Sequence, residues 1–210
     1  MDANQRFNKI AAYIEERRGN RNNPALDYRW QHSLRVAHYG QQIALAENAA
    51  VEQVIAACLL HDVARFDEVD HGIEHGRVGA RLVRPFLAEL GYSPAEINNI
   101  CFAIAAHVDD QADFEHPFTL EAKVVNDADN IDRFSTYRIL LHFQDCLDDY
   151  HQLINRASQR VEKLKTLQPP QFMATPSGER LFRHQLEMQI EFLERLIADS
   201  KISILPQIKE

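Results

Sequence analysis

The spacing of apolar residues is the feature that most constrains how this chain can fold. Apolar residues recur at intervals of three and four along almost the whole sequence, and hardly any stretch alternates with the two-residue period of a strand. Only seven glycines interrupt the pattern in 210 residues. The sequence therefore predicts an all-α protein whose amphipathic helices each bury one face.

Capping signals and breaker residues place the helix boundaries. The clearest start is "SPAEINNICFAIAAH", where Ser93 is the expected N-cap, Pro94 takes the first helical position and Glu96 completes a capping box. The loops are expected at "GNRNNP", at the acidic segment 109–118 and at "QPPQFMATPSG". Further helices are predicted around 7–14, over about 28–46 and 51–63, from near Glu74, from about 119, and around 182–197.

Composition narrows the class of protein. A chain of 210 residues that is 45% hydrophobic can bury a full core as one domain over 1–210. Its net charge of −8 argues against a broad nucleic-acid surface, because such surfaces concentrate positive charge. The three cysteines, Cys58, Cys101 and Cys146, are widely spaced in apolar helical segments and indicate packed thiols. With no signal-like or membrane-spanning segment, the expected location is cytoplasmic, without a membrane partner.

Several polar side chains stand on otherwise apolar helix faces. The segment "VEQVIAACLL" runs directly into His61 and Asp62, where an unpartnered polar group would cost several kcal/mol. His32, His107 and Asp129 are placed similarly on other predicted helices. Taken singly, each histidine is more simply explained as a hydrogen-bonded core or surface residue. Taken together they predict a metal site, since imidazole and carboxylate are common ligands of Zn, Mn and Fe.

Three segments resemble the HD-domain metal-dependent phosphohydrolase superfamily: "WQHSLRVA", "ACLLHDVARF" and "VVNDADNID". The resemblance covers about 28–135 and implies an HD-domain-like helical bundle, with a helical C-terminal extension over about 136–200. It implies that His32, His61, Asp62 and Asp129 are metal ligands. Asp127 also offers a carboxylate two residues earlier; the family pattern favours Asp129, and the sequence alone leaves the choice open.

Two more segments, "EHGRVGARLV" and "AIAAHVDD", resemble those that supply extra histidines in the two-metal, six-ligand branch of the superfamily. This resemblance implies that His75 and His107 hold a second ion and that Asp62 bridges the two. A solvated position at the helix start is the alternative for His75, and His71 has no motif match. The implied cofactor is one or two divalent ions per chain; the ligands do not distinguish Fe, Mn, Zn, Co, Ni and Mg, and Fe or Mn is favoured.

Arginines near these motifs are candidate substrate contacts. Arg65, three residues after Asp62, is expected to bind phosphate oxygens, so that Asp62 and Arg65 form the catalytic pair. Arg35 follows His32 by about one helical turn, and Arg133 stands in "NIDRF". The following residues are expected to form a solvated acidic loop: Asp67, Glu68 and Asp70.

The leading functional hypothesis is hydrolysis of a phosphate ester or anhydride, by metal-activated water, in a small phosphorylated metabolite such as a nucleotide. One alternative is a di-iron oxygenase of the same fold, similar to myo-inositol oxygenase, which uses the same ligand types. Another is a non-catalytic regulatory module that binds a nucleotide or a metal. The final amphipathic helix could dock internally or pair with a second subunit, and the sequence does not identify the substrate.

Overall fold

A computed structural model describes residues 1–19, 22–67 and 69–202. Within those ranges the chain forms nine α-helices and three short 3₁₀ turns, with no strand, so the all-α prediction is confirmed. The helices are α1 (Ala3–Arg18), α2 (Pro24–Glu47), α3 (Val51–Leu60), α4 (His75–Glu89), α5 (Pro94–Ala106), α6 (Leu120–Asp132), α7 (Thr136–Phe143), α8 (Tyr150–Thr166) and α9 (Pro176–Ser200). Residues 203–210 of the predicted domain lie outside the described part.

The capping signals explain where the helices begin. Ser93 and Glu96 form the predicted capping box at the start of α5. Helix α2 starts at Pro24, about four residues before its predicted start at 28. Its N-cap is Asn23, whose side chain accepts a hydrogen bond from the Ala25 amide at 3.0 Å. The sequence predicts a loop over these residues, because asparagine and proline are common both in loops and at helix starts.

Helix α3 ends earlier than predicted. The prediction extended it to 63, but α3 stops at Leu60 and residues Val63–Phe66 form a 3₁₀ turn. The Arg65 amide donates to the Asp62 carbonyl at 2.9 Å, which tightens the chain at this point. As a result His61 and Asp62, although adjacent in sequence, are both buried.

The core lies between α2, α3, α5 and α6, and close helix packing brings the polar residues together. Gly40 of α2 faces α3: a Cβ there would lie 2.7 Å from the Sγ of Cys58 and 3.1 Å from Val54. A larger residue would push α2 and α3 apart. All three cysteines are buried and free, as the sequence indicated.

The C-terminal helices pack on the same body. Helix α9 contacts α8 and α6, and its apolar face is buried through Phe182, Leu186 and Leu193. The amphipathic face predicted from the sequence is therefore covered by the chain itself. Among the described helices, none is both long and apolar enough to cross a membrane.

Candidate metal centre

Six side chains from five parts of the fold converge at the centre of the bundle. Each is buried, with an exposed fraction of 9% or less. They are His32 of α2, His61 and Asp62 just after α3, His75 at the start of α4, His107 just after α5, and Asp129 of α6.

Local hydrogen bonds turn the imidazole rings toward one another. The Nδ1–H groups of His61, His75 and His107 donate to backbone carbonyls three residues earlier, at distances of 2.7, 2.6 and 2.7 Å respectively. Each bond assigns the ring proton to Nδ1 and leaves the Nε2 lone pair pointing into the cluster. Metal-binding histidines are oriented in this way.

One group of ligand atoms surrounds the Nε2 atoms of His32 and His61, which lie 3.1 Å apart. The Oδ1 atom of Asp129 lies 3.2 Å from His32 Nε2 and 3.9 Å from His61 Nε2. The Oδ2 atom of Asp62 lies 3.8 and 3.7 Å from the same two nitrogens. Two imidazoles and two carboxylates thus face a common point.

A second group uses the other oxygen of Asp62. The Nε2 atoms of His75 and His107 lie 3.1 Å apart. The Oδ1 atom of Asp62 lies 3.2 Å from His75 Nε2 and 3.9 Å from His107 Nε2. Asp62 therefore stands between two histidine pairs and directs one oxygen toward each.

These donor sets fit divalent metal ions. Two ligand atoms that are each about 2.1 Å from one ion lie about 3.0 Å apart at a right angle and about 3.4 Å apart at the tetrahedral angle. The 3.1 Å separation of both nitrogen pairs falls within that range. Because the Nδ1 atoms of His75 and His107 carry the ring protons, their two Nε2 lone pairs repel unless a cation binds between them.

Burial and hydrogen bonds together determine the protonation of the histidines. It lowers the pKa of His61, and it lowers the pKa of His107 to about 4, so both rings are neutral and able to bind a metal. Burial also acts to lower the pKa of His32, but hydrogen bonds to Asp129 and Asp132 outweigh it and raise that pKa to about 9. An ion that binds at His32 therefore exchanges with a proton.

The two central carboxylates remain charged. Burial acts to raise the pKa of Asp62, but its electrostatic contacts with His61, His75 and Arg29 hold that pKa well below its ordinary value. For Asp129 the opposing contact is the hydrogen bond with His32, which lowers the pKa despite burial. Ionised carboxylates are the form that binds metal ions.

Asp132 supports the cluster, although the sequence motifs did not indicate it. Its Oδ2 atom accepts the Nδ1–H of His32 at 2.7 Å, and its side chain is fully buried. Arg35 holds the same carboxylate through Nε at 2.7 Å and Nη2 at 3.0 Å. Arg35 was predicted as a substrate contact, but it lies behind His32 and does not line the cavity. Asp132 follows Asp129 by three residues, so helical spacing could have indicated it.

Three arginines contact the ligand carboxylates. Arg29 pairs with Asp62 Oδ2, and the Nε of Arg65 lies 3.2 Å from Asp62 Oδ1. The Nη2 of Arg133 lies 2.8 Å from Asp129 Oδ2. Arg65 and Arg133 thus line the cavity beside the cluster, and their role as substrate contacts stays a prediction. Arg29 was missed, although its position three residues before His32 puts it on the same helix face.

A cavity of about 410 Å³ opens onto the cluster. Arginines and one tyrosine dominate its outer wall. Besides five of the six cluster residues and Asp132, its lining consists of Tyr28, Arg29, Arg65, Val108, Arg133 and Arg138. The cavity thus joins a carboxylate and imidazole floor to a positively charged mouth, which suits an anionic ligand.

The remaining candidate ligands have other partners. Asp127 points away from the cluster and accepts hydrogen bonds from Thr175, whose amide and hydroxyl lie at 2.9 and 2.6 Å. His71 contacts Asp67 at 3.2 Å. Asp70 accepts the Gly72 amide at 2.9 Å. Glu68 of the predicted acidic loop lies outside the described residues.

The sequence from Arg29 to Arg133 carries all six converging side chains, and the HD domain profile matches residues 29–133. The chain belongs to the HD-domain family. A relative of this HD-domain protein is "uncharacterized protein MJ0778" of Methanocaldococcus jannaschii, which is 33% identical over 147 residues. The matched region covers 64% of this chain and 82% of that relative.

Solved structures share the fold of this HD-domain protein. A predicted HD superfamily hydrolase from an uncultured Thermotogales bacterium aligns with a TM-score of 0.69 at 22% identity, over 92% of each chain. The structure of Bacillus subtilis YpgQ in complex with ADP aligns with a TM-score of 0.63 at 19% identity, over 95% of this chain and 97% of YpgQ. The structure of an HD-superfamily hydrolase from Bacillus thuringiensis aligns with a TM-score of 0.67 at 17% identity, over 96% of this chain and 100% of that hydrolase.

Proposed function

We propose that this HD-domain protein is a metal-dependent phosphohydrolase that cleaves a phosphate ester or anhydride in a small phosphorylated metabolite, specifically a nucleotide. The observation that carries the proposal is the position of Asp62 between two histidine pairs, with one oxygen directed toward each. That arrangement suits two divalent ions bridged by one carboxylate. The ADP in the structure of YpgQ supports a nucleotide as substrate.

The residues of the cluster and of the cavity mouth have separate tasks in this proposal. Two divalent ions would lower the pKa of a bound water molecule, so that it can act as a nucleophile at neutral pH, and would polarise a phosphoryl oxygen. Arg65 and Arg133 stand beside the ligand carboxylates at the open side of the site, where their guanidinium groups can neutralise negative charge on a phosphoryl group. Burial of the floor excludes bulk water and strengthens each of these electrostatic contacts.

Metal content tests the dinuclear arrangement directly. Elemental analysis of Mn- or Fe-loaded protein is expected to show two equivalents per chain, falling to about one in His75→Ala. His71→Ala is the matched control, because His71 lies only four residues away and outside the cluster. Phosphate release from a panel of nucleotides is expected from the parent and the control, and is expected to be lost in His61→Ala.

Other outcomes would contradict the proposal at different levels. One equivalent of metal in both the parent and His75→Ala would reduce the site to the group around His32 and His61. A parent that binds no metal under any loading condition would remove the enzymatic function. Oxygen consumption without phosphate release would replace the hydrolase with an oxygenase.

A further inference from the structure

Helix α7 contributes one residue to the cavity wall, and this residue lies outside the segment that matches the HD domain. Arg138 lies in the first turns of α7 and lines the cavity that opens onto the histidine cluster. The HD domain match ends at 133, so nothing in the family resemblance assigns a role to this residue. Its place in the cavity wall follows from the fold alone.

Arg138 differs from the other three arginines of the cavity in its partners. Arg29, Arg65 and Arg133 each pair with Asp62 or Asp129. By contrast, Arg138 forms no ion pair with any carboxylate that the structure describes; its Nη1 lies 3.5 Å from the hydroxyl of Tyr28. Its guanidinium group can therefore bind an anion without breaking an existing pair.

Aromatic contacts hold Arg138 at the mouth. Tyr137, the preceding residue, stacks on Tyr28 with ring centroids 4.9 Å apart and planes inclined by 23°. Ile139, the following residue, is only 7% exposed and anchors the other side of α7. Tyr28 also lies one turn before His32, with 6.3 Å between the ring centroids. The stack thus ties the position of Arg138 to the helix that carries a candidate ligand.

The charge of the cavity indicates the charge of its ligand. Three carboxylates and four guanidinium groups line it, and Arg35 behind the cluster pairs with the Asp132 carboxylate, which leaves two net positive charges when the imidazoles are neutral. One bound divalent ion raises the net charge to four, and a second raises it to six. A phosphate monoester carries a charge of about −2 at neutral pH and leaves much of this uncompensated. A diphosphate adds the negative charge of a second phosphate and matches the cavity more closely.

We propose that Arg138 binds the second phosphate of the substrate, beyond the phosphoryl group at the metal cluster, and so selects phosphoanhydride substrates over monoesters. This inference rests on the proposed function and names its substrate class. Tyr28 and Tyr137 position the guanidinium group. Arg138 is a specificity-determining residue, because it touches the distal part of the ligand.

Equilibrium binding of two inorganic anions tests this contact without reference to the base of a nucleotide. Isothermal titration of Mn-loaded protein with imidodiphosphate and with orthophosphate compares a two-phosphate probe with a one-phosphate probe. In Arg138→Gln, imidodiphosphate is expected to bind about 10-fold more weakly or worse, whereas orthophosphate affinity changes by less than about 3-fold. Arg138→Lys keeps the charge without the planar fork and is expected to fall between.

Controls separate this contact from general effects. Arg183→Gln removes another half-exposed arginine, which pairs with Glu179 on α9, and is expected to leave both affinities unchanged. Metal content and thermal stability of all variants are measured in parallel. Hydrolysis then provides a second readout, since the ratio of kcat/KM for ADP to that for AMP is expected to fall in Arg138→Gln.

Three results would overturn the inference: a parent that binds both anions equally, a parent that binds neither, or an Arg138→Gln variant that keeps the parental preference. Loss of the proposed function looks different. A parent without phosphatase activity whose preference for imidodiphosphate still depends on Arg138 would retract the hydrolase and keep the anion contact. A parent that hydrolyses phosphate substrates, but whose preference for imidodiphosphate is unchanged in Arg138→Gln, would keep the hydrolase and retract the anion contact.

Discussion

At the scale of single residues, the site is organised by hydrogen bonds behind the ligands. Three histidines are oriented by backbone carbonyls of their own turns, so their orientation needs no distant partner. His32 is different, because its Nδ1–H donates to the side chain of Asp132 on α6. Arg35 then balances the charge of that buried carboxylate. The orientation of His32 therefore depends on a side chain 100 residues away in sequence.

We expect Asp132→Ala to weaken metal affinity by about 10- to 100-fold, because His32 loses the group that orients it and raises its basicity. Asp132→Asn keeps an acceptor for the Nδ1–H and is expected to lose less. Competition with a chelator of known affinity measures both. Asp148→Asn, at an exposed position, is the matched control. Parental affinity in Asp132→Ala would show that His32 is held by packing alone.

Sequence patterns predicted which side chains converge better than they predicted the residues that support those side chains. His61 and Asp62 were identifiable because a polar pair at the end of an apolar helix requires partners. Asp132 and Arg29 were not identified, although both share a helix face with a predicted ligand, because a charged residue at that spacing is ordinarily solvated. Arg35 was predicted to contact the substrate because helical spacing indicates the face on which a residue lies but not its partner on another helix.

At the scale of elements, some helix ends are determined by neighbouring residues and others by contacts between residues that are distant in sequence. The capping box of α5 was predictable because all its partners lie within four residues. The end of α3 was not, because the turn that follows it carries His61 and Asp62, whose partners Asp129 and His75 lie in other parts of the chain. The docking of α9 likewise depends on Asp127, which accepts the Ala174 amide at 2.7 Å as well as two bonds from Thr175.

Removal of the Asp127 carboxylate is expected to loosen α9. Asp127→Ala leaves the two buried donors of Thr175 and the Ala174 amide without their acceptor and should lower the free energy of unfolding by about 2–5 kcal/mol. Asp127→Asn can still accept and should cost less. Urea unfolding measures the change, and metal content, which is expected to stay parental, is measured beside it. Loss of one metal equivalent in Asp127→Ala without a change in stability would instead make Asp127 a ligand.

At the scale of the whole molecule, the cluster joins helices that are far apart in sequence. Its candidate ligands come from α2, from the ends of α3 and α5, from the start of α4, and from α6. An ion bound there links five elements of the native state and has no comparable site in the unfolded chain. Metal binding at the cluster is therefore expected to stabilise the whole fold.

We expect metal loading to raise the melting temperature by about 5–10 °C at a free metal concentration of about 100 times Kd, since that excess is worth about 2.7 kcal/mol. Thermal unfolding with Mn²⁺ or with EDTA measures the difference. His61→Ala, which disrupts one of the two groups of ligand atoms, is expected to show a smaller shift, whatever its own melting temperature. An equal shift in His61→Ala would mean that the ion acts elsewhere on the surface.

Helix α6 carries three buried aspartates that face different neighbours. Asp127 contacts the start of α9, Asp129 belongs to the cluster, and Asp132 contacts α2. At about 100° per residue, Asp127 and Asp129 point about 160° apart, and Asp132 lies about 60° from Asp129. Any rotation of α6 about its axis would break all three contacts together. Helix α6 is therefore held in one rotational orientation. The contact of Asp129 with the cluster and the contact of Asp127 with the start of α9 both depend on that orientation.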